Sequence, residues 1–243
     1  MDPLDLAILA FGGLAAGVIN TLAGGGSMLT VPLLVLLGLP GTLANGTNRA
    51  GILVSNLAAT WSFRREGVDA LRRSLPVLIP VALGSLIGAL AISRVSDETF
   101  ERSFGLVMLA VLLPTLRTPR PTGAAAWSPP VRSAVFMAIG AYGGAFQAGV
   151  GIVLLLALGR AGYDLVTANA VKVVVIGVLT LVALPVFAIQ GQIDWLPAAL
   201  LAVGFGFGGA LGARFATRGG ERLIRPVLAV AVAALAMRML GLL

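Results

Sequence analysis

The chain has 243 residues, of which 58% are hydrophobic, and its 17 Lys and Arg against 10 Asp and Glu give a formal net charge of +7. A chain this apolar lacks the polar surface that would cover a soluble core, so we expect a polytopic membrane protein. It contains no Cys and no His, which excludes disulfides, thiolate nucleophiles, imidazole bases and the usual zinc or haem ligands.

The apolar runs predict membrane helices. They are long enough to cross about 30 Å of hydrocarbon and lack the alternation of β-barrel strands, so the predicted fold is all-α. No basic region precedes the first run, which is therefore expected to stay in the mature protein. In chain order the predicted segments are residues 4–23, 28–38, 44–61, 75–92, 103–116, 131–147, 151–159, 166–188, 196–215 and 223–242.

Two of these segments, 28–38 and 151–159, are too short to cross the bilayer, because at about 1.5 Å per residue they reach only half way. Each follows a glycine-rich break, at residues 23–27 and 148–151. We therefore predict that each is the second arm of a re-entrant helical hairpin. The stripes Gly84/Gly88 and Gly204/Gly208/Gly212, by contrast, are typical of close helix packing.

An internal repeat is predicted from matches at equivalent positions. The shift that places Gly25 on Gly149 also aligns glycines, an Ala-Asn pair and a phenylalanine, and both halves share one hydropathy profile. The predicted organisation is a first repeat (1–116), a cytoplasmic linker (117–130) and a second repeat (131–243) in one integral membrane domain. The other aligned pairs include Gly38/Gly162, Asn45/Asn169, Phe63/Phe187, Gly84/Gly208 and Gly88/Gly212.

The charges of the loops predict that the repeats are inverted, since Lys and Arg are retained on the cytoplasmic side. The loop after segment 44–61 is basic, whereas its counterpart, residues 190–197, has no basic residue. The next loop shows the opposite bias. One topology fits both observations: a multi-pass membrane protein with both termini periplasmic or extracellular. The basic residues then placed inside are Arg64, Arg65, Arg72, Arg73, Arg117, Arg120, Arg132, Arg160, Arg214, Arg218, Arg222 and Arg225.

Polar residues inside predicted spans mark a candidate binding site, because such groups are costly in hydrocarbon. Asn45, Asn48 and Arg49 share one helix face, and Asn169 and Lys172 lie on the equivalent face of the second repeat. Glycine breaks expose amide N–H groups at half-helix N-termini, which favour an anion. The predicted substrate-binding residues are Gly24, Gly25, Gly26, Ser27, Asn45, Asn48, Arg49, Gln147, Gly149, Gly151, Asn169 and Lys172, with Asn20 as a further lining residue.

An alternative interpretation of the same residues is structural. The Asn side chains would then cap or cross-link helices, Arg49 and Lys172 would extend to the interface, and the glycines would only permit tight packing. No Asp or Glu lies well inside a predicted span, so Lys172 is the candidate group for coupling to protons. Without buried acids, His or Cys, neither an enzyme nor a metal or cofactor site is predicted, and the basic residues indicate topology rather than nucleic-acid binding.

The chain resembles the sulfite exporter (TauE/SafE) family of bacterial membrane transporters. The resemblance is carried by GGLAAGVINTLAGGGSMLTVP at residues 12–32 and ANGTNR at 44–49, and by their second copies, GGAFQAGVG at 143–151 and ANAVK at 168–172. It implies a small two-repeat transporter that moves sulfite, sulfonates or related organosulfur anions across the inner membrane.

These observations predict a secondary transporter for a small sulfur-containing anion, bound at the midplane between the repeats and released by alternating access. Export follows from the resemblance alone. The alternatives are uptake of a sulfur compound or small carboxylate and, from another class, a non-transporting membrane scaffold or partner subunit. The sequence leaves open whether protons are the coupling ion and whether the protein is a homo-oligomer.

Overall fold

The computed structural model describes residues 3–115, 127–217, 232–240 and 242, and over these ranges the chain is helical, with short turns and no β-strand. The all-α prediction is confirmed for them. Residues 232–239 are helical, whereas residues 223–231 and 241 of the predicted segment 223–242 and most of the predicted linker 117–130 lie outside the described residues. The other helices are α1 (Pro3–Ala23), α2 (Ser27–Leu36), α3 (Gly41–Arg65), α4 (Leu71–Ile92), α5 (Asp97–Thr115), α6 (Pro129–Ala145), α7 (Val150–Arg160), α8 (Leu165–Ile189) and α9 (Trp195–Thr217).

Four of the described helices, α1, α4, α8 and α9, are long and apolar enough to cross a membrane. Helix α3 is as long as α8, at 25 residues, but its polar face keeps it out of this group. Helices α2 and α7 have 10 and 11 residues, which at about 1.5 Å per residue is half the hydrocarbon thickness. The described part of the chain therefore combines four candidate membrane spans with two short apolar helices.

Both predicted glycine breaks are present. Helix α1 ends at Ala23 before α2 begins at Ser27, and α6 ends at Ala145 before α7 begins at Val150. Gly24 and Gly149 have φ angles of 78° and 62°, in the left-handed region that glycine adopts without a Cβ penalty. The Gly24 N–H donates to the carbonyls of Ile19 and Asn20, which closes the last turn of α1.

The long helices pack against one another in pairs. Helix α1 packs mainly on α9 and α6 packs mainly on α4, while α3 also packs on α9 and α8 also packs on α4. Glycines bring these backbones together, as predicted for the two stripes: a Cβ on Gly84 would lie 2.0 Å from the Met137 carbonyl oxygen, and one on Gly208 would lie 2.2 Å from that of Leu14. Close packing therefore excludes larger residues at these positions.

Helices α3 and α8 cross at the centre and run antiparallel. Gly46, near the start of α3, faces Phe187, near the end of α8, whereas Asn56, further along α3, faces Gly177, nearer the start of α8. The predicted polar faces of α3 and α8 therefore meet at this crossing, with the two helices running in opposite directions.

The N-terminus of α8 is capped by the residue that precedes it, Asp164. The Asp164 carboxylate accepts a hydrogen bond of 3.0 Å from the Thr167 backbone N–H, and hydrogen bonds from Thr167 lower the pKa of Asp164. Capping aspartates stabilise the first turn and its partial positive charge. Helix α3 has no side-chain cap of its own, but Asp97 of α5 accepts from the N–H and Oγ1 of Thr42.

Replacing Asp164 with alanine is expected to destabilise the protein by about 1 kcal/mol, the usual value for a lost N-cap. Because the folded pKa of Asp164 is lowered, its contribution is present at neutral pH and is lost as the pH falls through that value. Thermal unfolding in detergent between pH 7 and pH 3 measures both effects. Asp164→Asn is the matched control, since it keeps a cap but removes the charge; equal pH dependence in Asp164→Asn and the wild type would contradict the assignment.

Candidate functional site

The polar side chains predicted to bind substrate are buried at the crossing of α3 and α8. None of them exposes more than 3% of its surface, although buried polar groups in a membrane are costly unless they have partners. We call this set the central polar cluster: Asn20, Asn45, Asn48, Arg49, Gln147, Asn169 and Lys172.

Arg49 of α3 binds the C-terminal end of α6. Its guanidinium donates to the carbonyl oxygens of Gly143 at 3.3 Å, Gly144 at 2.6 Å and Ala145 at 3.0 Å, and it lies 4.3 Å from the centre of the Phe187 ring. Asn45 donates to the Ala145 carbonyl at 2.9 Å. A cation at a helix C-terminus compensates its unpaired carbonyls and negative partial charge.

Lys172 of α8 binds the C-terminal end of α1 in the same way. Its ammonium donates to the carbonyl oxygens of Thr21 at 2.6 Å and Asn20 at 3.3 Å, and to Asn169 Oδ1 at 2.7 Å. Helices α3 and α8 therefore each contribute a cation that binds the C-terminal end of the helix before a glycine break, α6 for Arg49 and α1 for Lys172. In this structure Arg49 and Lys172 both donate to the carbonyls at helix ends. The structural interpretation of the sequence assigned this capping role to the Asn side chains instead.

Several side-chain atoms of the cluster remain without a partner among the described residues. They include hydrogen-bond donors and acceptors, and an unmade buried hydrogen bond costs about 1–3 kcal/mol. Inside a membrane protein such atoms are candidates for contacts with a ligand or with water. They are Asn20 Nδ2, Asn45 Oδ1, Asn48 Nδ2, Arg49 Nε and Gln147 Oε1, with Ser55 Oγ and Asn56 Oδ1 further along α3.

The two glycine breaks touch each other. A Cβ built on Gly24 would lie 2.4 Å from the Cα of Gly151, and one on Gly151 would lie 2.4 Å from the Cα of Gly24 and 3.1 Å from Lys172 Cδ. The N-termini of α2 and α7 thus meet beside the cluster. Among the described residues none accepts a hydrogen bond from the amides of Gly25, Gly26, Ser27, Gly149 or Gly151, so these predicted donors remain available, whereas the Gly24 amide is used within α1.

Gln147 is the non-glycine residue with a left-handed backbone in the described part of the chain, with φ of 57°. This conformation is uncommon for residues with a Cβ and costs about 1 kcal/mol or more. The Gln147 amide donates to Thr180 Oγ1, which fixes the side chain in the break between α6 and α7. Strain of this kind is typical of positions that serve a ligand.

Sequence reasoning missed three residues that support the cluster. Thr30 donates to Asn48 Oδ1 and to the Gly26 carbonyl, Thr180 orients Gln147, and Phe187 covers Arg49. A signal existed for two of them, since Thr180 aligns with Asn56 and Phe187 with Phe63 in the repeat. No group of three or more Asp or Glu residues that could hold a metal ion occurs in the described ranges.

Comparison with known proteins gives one family. The family model for the sulfite exporter TauE/SafE matches residues 9–239. The chain is 32% identical to a probable membrane transporter protein of Haemophilus influenzae, over 93% of this chain and 90% of that protein. It is 30% identical to the probable membrane transporter protein ORF9 of a Sinorhizobium species, over 97% and 92% of the two chains.

A third relative, the probable membrane transporter protein YfcA of Escherichia coli strain K12, is 26% identical over 99% of this chain and 91% of its own. No solved structure gives a significant match. The similarity therefore extends over whole chains and covers both glycine breaks and the central polar cluster.

Proposed function

This chain belongs to the sulfite exporter TauE/SafE family and is a membrane transporter rather than an enzyme, and from that membership we propose that it moves a small sulfur-containing anion, such as sulfite or an organosulfonate. Membership in a transporter family also excludes the non-transporting scaffold. The direction proposed is export across the bacterial inner membrane, with both termini periplasmic.

One observation carries the proposal of an anion: the N-termini of α2 and α7 meet at the Gly24–Gly151 contact. Helix N-termini have positive partial charge and present unpaired N–H groups, which suit an oxyanion. The available amides of Gly25, Gly26 and Ser27 belong to one break, and those of Gly149 and Gly151 belong to the other. Asn20 Nδ2 and Asn48 Nδ2 are further donors in the cluster.

The cations support this arrangement indirectly. Arg49 and Lys172 neutralise the negative C-terminal ends of α6 and α1, which lie only a few residues from the donors. Without that compensation the carbonyls would repel an anion. Lys172 is also the proposed carrier if transport is coupled to protons, because it is a titratable ammonium at the break and in contact with Asn169.

Alternating access between inverted repeats is the proposed mechanism. Its support is the antiparallel crossing of α3 and α8 and the correspondence of the pairs α1/α9 and α6/α4. A site between two equivalent halves opens to either side when one half rocks against the other.

Anion flux into proteoliposomes tests the proposal. We expect purified protein to accelerate sulfite or sulfoacetate flux over empty vesicles, and Asn48→Ala to raise the half-saturating concentration roughly 10-fold, the value of one hydrogen bond to a charged ligand. A pH gradient of either sign, applied to the same vesicles, tests proton coupling.

The matched control is Gln192→Ala, because Gln192 is a half-buried amide that also has one carbonyl partner, Ser93, and a buried, unpaired Oε1, but lies in the loop before α9. It should leave the half-saturating concentration unchanged. Flux of acetate in preference to every sulfur anion would replace the proposed substrate with a carboxylate, and equal effects of the two substitutions would remove Asn48 from the site.

A further inference from the structure

A cationic cavity lies outside the central polar cluster, at the end of the molecule where α4, α6 and α8 begin. It has a volume of about 190 Å³ and is lined by Arg73, Arg132 and Arg160 together with Trp127, Phe136 and Tyr163. We call it the arginine cavity. None of its described lining residues is acidic.

The three arginines reach the cavity from three different elements. Arg73 and Arg132 lie in the first turns of α4 and α6, and Arg160 is the last residue of α7. The guanidinium of Arg160 lies 5.4 Å from the centre of the Trp127 ring, within the range of a cation–π contact. The beginnings of α4 and α6 add positive partial charge at the same place, and Arg160 compensates the negative partial charge at the end of α7.

Arg132 gives an independent indication of a ligand. Its Nε atom is buried, yet within the described part of the chain no hydrogen-bond partner accepts from it. An oxyanion accepts two such N–H bonds from one guanidinium, which is the favoured geometry for phosphate, sulfonate and carboxylate groups. Arg73 also lines a neighbouring cavity with Arg72 and Asp69, where the arginines again outnumber the acid.

The wall of the cavity is apolar, with Phe136, Val77 and Leu158 beside the arginines. Its position at the first residues of the candidate spans Leu71–Ile92 and Leu165–Ile189 puts it at a membrane interface, where Trp and Tyr side chains are typical. Basic pockets between membrane helices on the cytoplasmic side suit anionic lipid headgroups.

We propose that the arginine cavity binds an oxyanion at the membrane interface, and that its occupant is the headgroup of an anionic phospholipid, with Arg132 and Arg160 as its principal ligands. This site is separate from the central polar cluster and does not depend on the proposed transport function. A free anion in transit shares the oxyanion chemistry, and the experiment distinguishes the two sources.

The experiment measures thermal stabilisation of the purified full-length protein in an uncharged detergent, since a ligand that binds only the folded state raises its apparent stability. Three probes are titrated separately: dioctanoyl phosphatidylglycerol, dioctanoyl phosphatidylcholine and sodium sulfate. We expect phosphatidylglycerol to stabilise the protein at concentrations at which phosphatidylcholine does not. Arg132→Gln with Arg160→Gln should weaken its apparent affinity at least 10-fold.

Arg94→Gln is the matched control, because Arg94 is exposed and follows the opposite end of α4; it should bind phosphatidylglycerol like the wild type. If the double variant does not fold, Arg160→Gln alone serves, since Arg160 is exposed. Stabilisation by sulfate with the same arginine dependence would support the oxyanion site and assign it to a free anion. Equal stabilisation by the two lipids, or undiminished binding in the variants, would overturn the proposal.

Discussion

Replacing Arg49 with glutamine is expected to destabilise the protein by about 3–5 kcal/mol, because it leaves several buried carbonyls without a donor. The guanidinium is fully buried and donates to Gly143, Gly144 and Ala145. Asn45 retains one bond to Ala145, but the end of α6 loses its compensating charge. Unfolding in detergent, followed by helicity or by monodisperse elution after heating, measures the loss.

Two other variants make this result specific. Arg49→Lys keeps the charge but not the planar fork of donors, so it should recover only part of the stability. Arg94→Gln removes an exposed arginine and should have almost no effect. If Arg49 acted mainly on the substrate, Arg49→Gln would abolish flux with an unchanged unfolding temperature; that outcome would contradict its assignment to the end of α6.

Gly24→Ala is expected to reduce transport at least 10-fold and to lower stability by more than 2 kcal/mol. Two costs combine at this position. A Cβ in the left-handed region costs about 1–2 kcal/mol, and this Cβ would lie 2.4 Å from the Cα of Gly151, so the backbones of the two breaks must separate. Separation also moves apart the amides that we propose to hold the anion.

Alanine substitutions at two other glycines, Gly38 and Gly151, measure the conformational cost and the contact cost separately. Gly38 has a φ of 92° with no heavy atom within 4 Å of a built Cβ, so Gly38→Ala should show only the conformational cost and leave flux nearly unchanged. Gly151→Ala introduces the contact with Gly24 without a left-handed φ, and it should impair flux with a smaller loss of stability than Gly24→Ala. Flux in Gly24→Ala equal to that in Gly38→Ala would mean that contact between the breaks is not required.

Much of the helical architecture was predictable, because hydrophobic runs and glycine breaks are local signals. The exceptions are also local. Helix α5 begins at Asp97, ahead of the predicted residue 103, because acidic residues that reduce hydropathy are favourable in a first helical turn. Helix α3 extends from Gly41 to Arg65, beyond the predicted 44–61, since its polar ends still form helix when neighbouring helices and Asp97 supply partners.

The sequence indicated which polar residues of the candidate site share a helix face, but it did not indicate their hydrogen-bond partners. The repeat pattern placed Arg49 and Lys172 on equivalent helix faces, and the structure buries both completely. Their acceptors are carbonyls of α6 and α1, which are 94–96 and 151–152 residues away along the chain. A backbone carbonyl has no residue signature, so only the three-dimensional arrangement indicates which helix end each cation holds.

This reciprocal capping links the biogenesis of the two halves. When the ribosome has delivered the first half, Arg49 is already present, whereas the α6 carbonyls that it binds have not yet been synthesised. Likewise, the carbonyls at the end of α1 are synthesised long before Lys172, whose ammonium binds them. A charged guanidinium without acceptors is costly in hydrocarbon, so α3 gains a stable place in the bilayer only after the later helices have been inserted beside it.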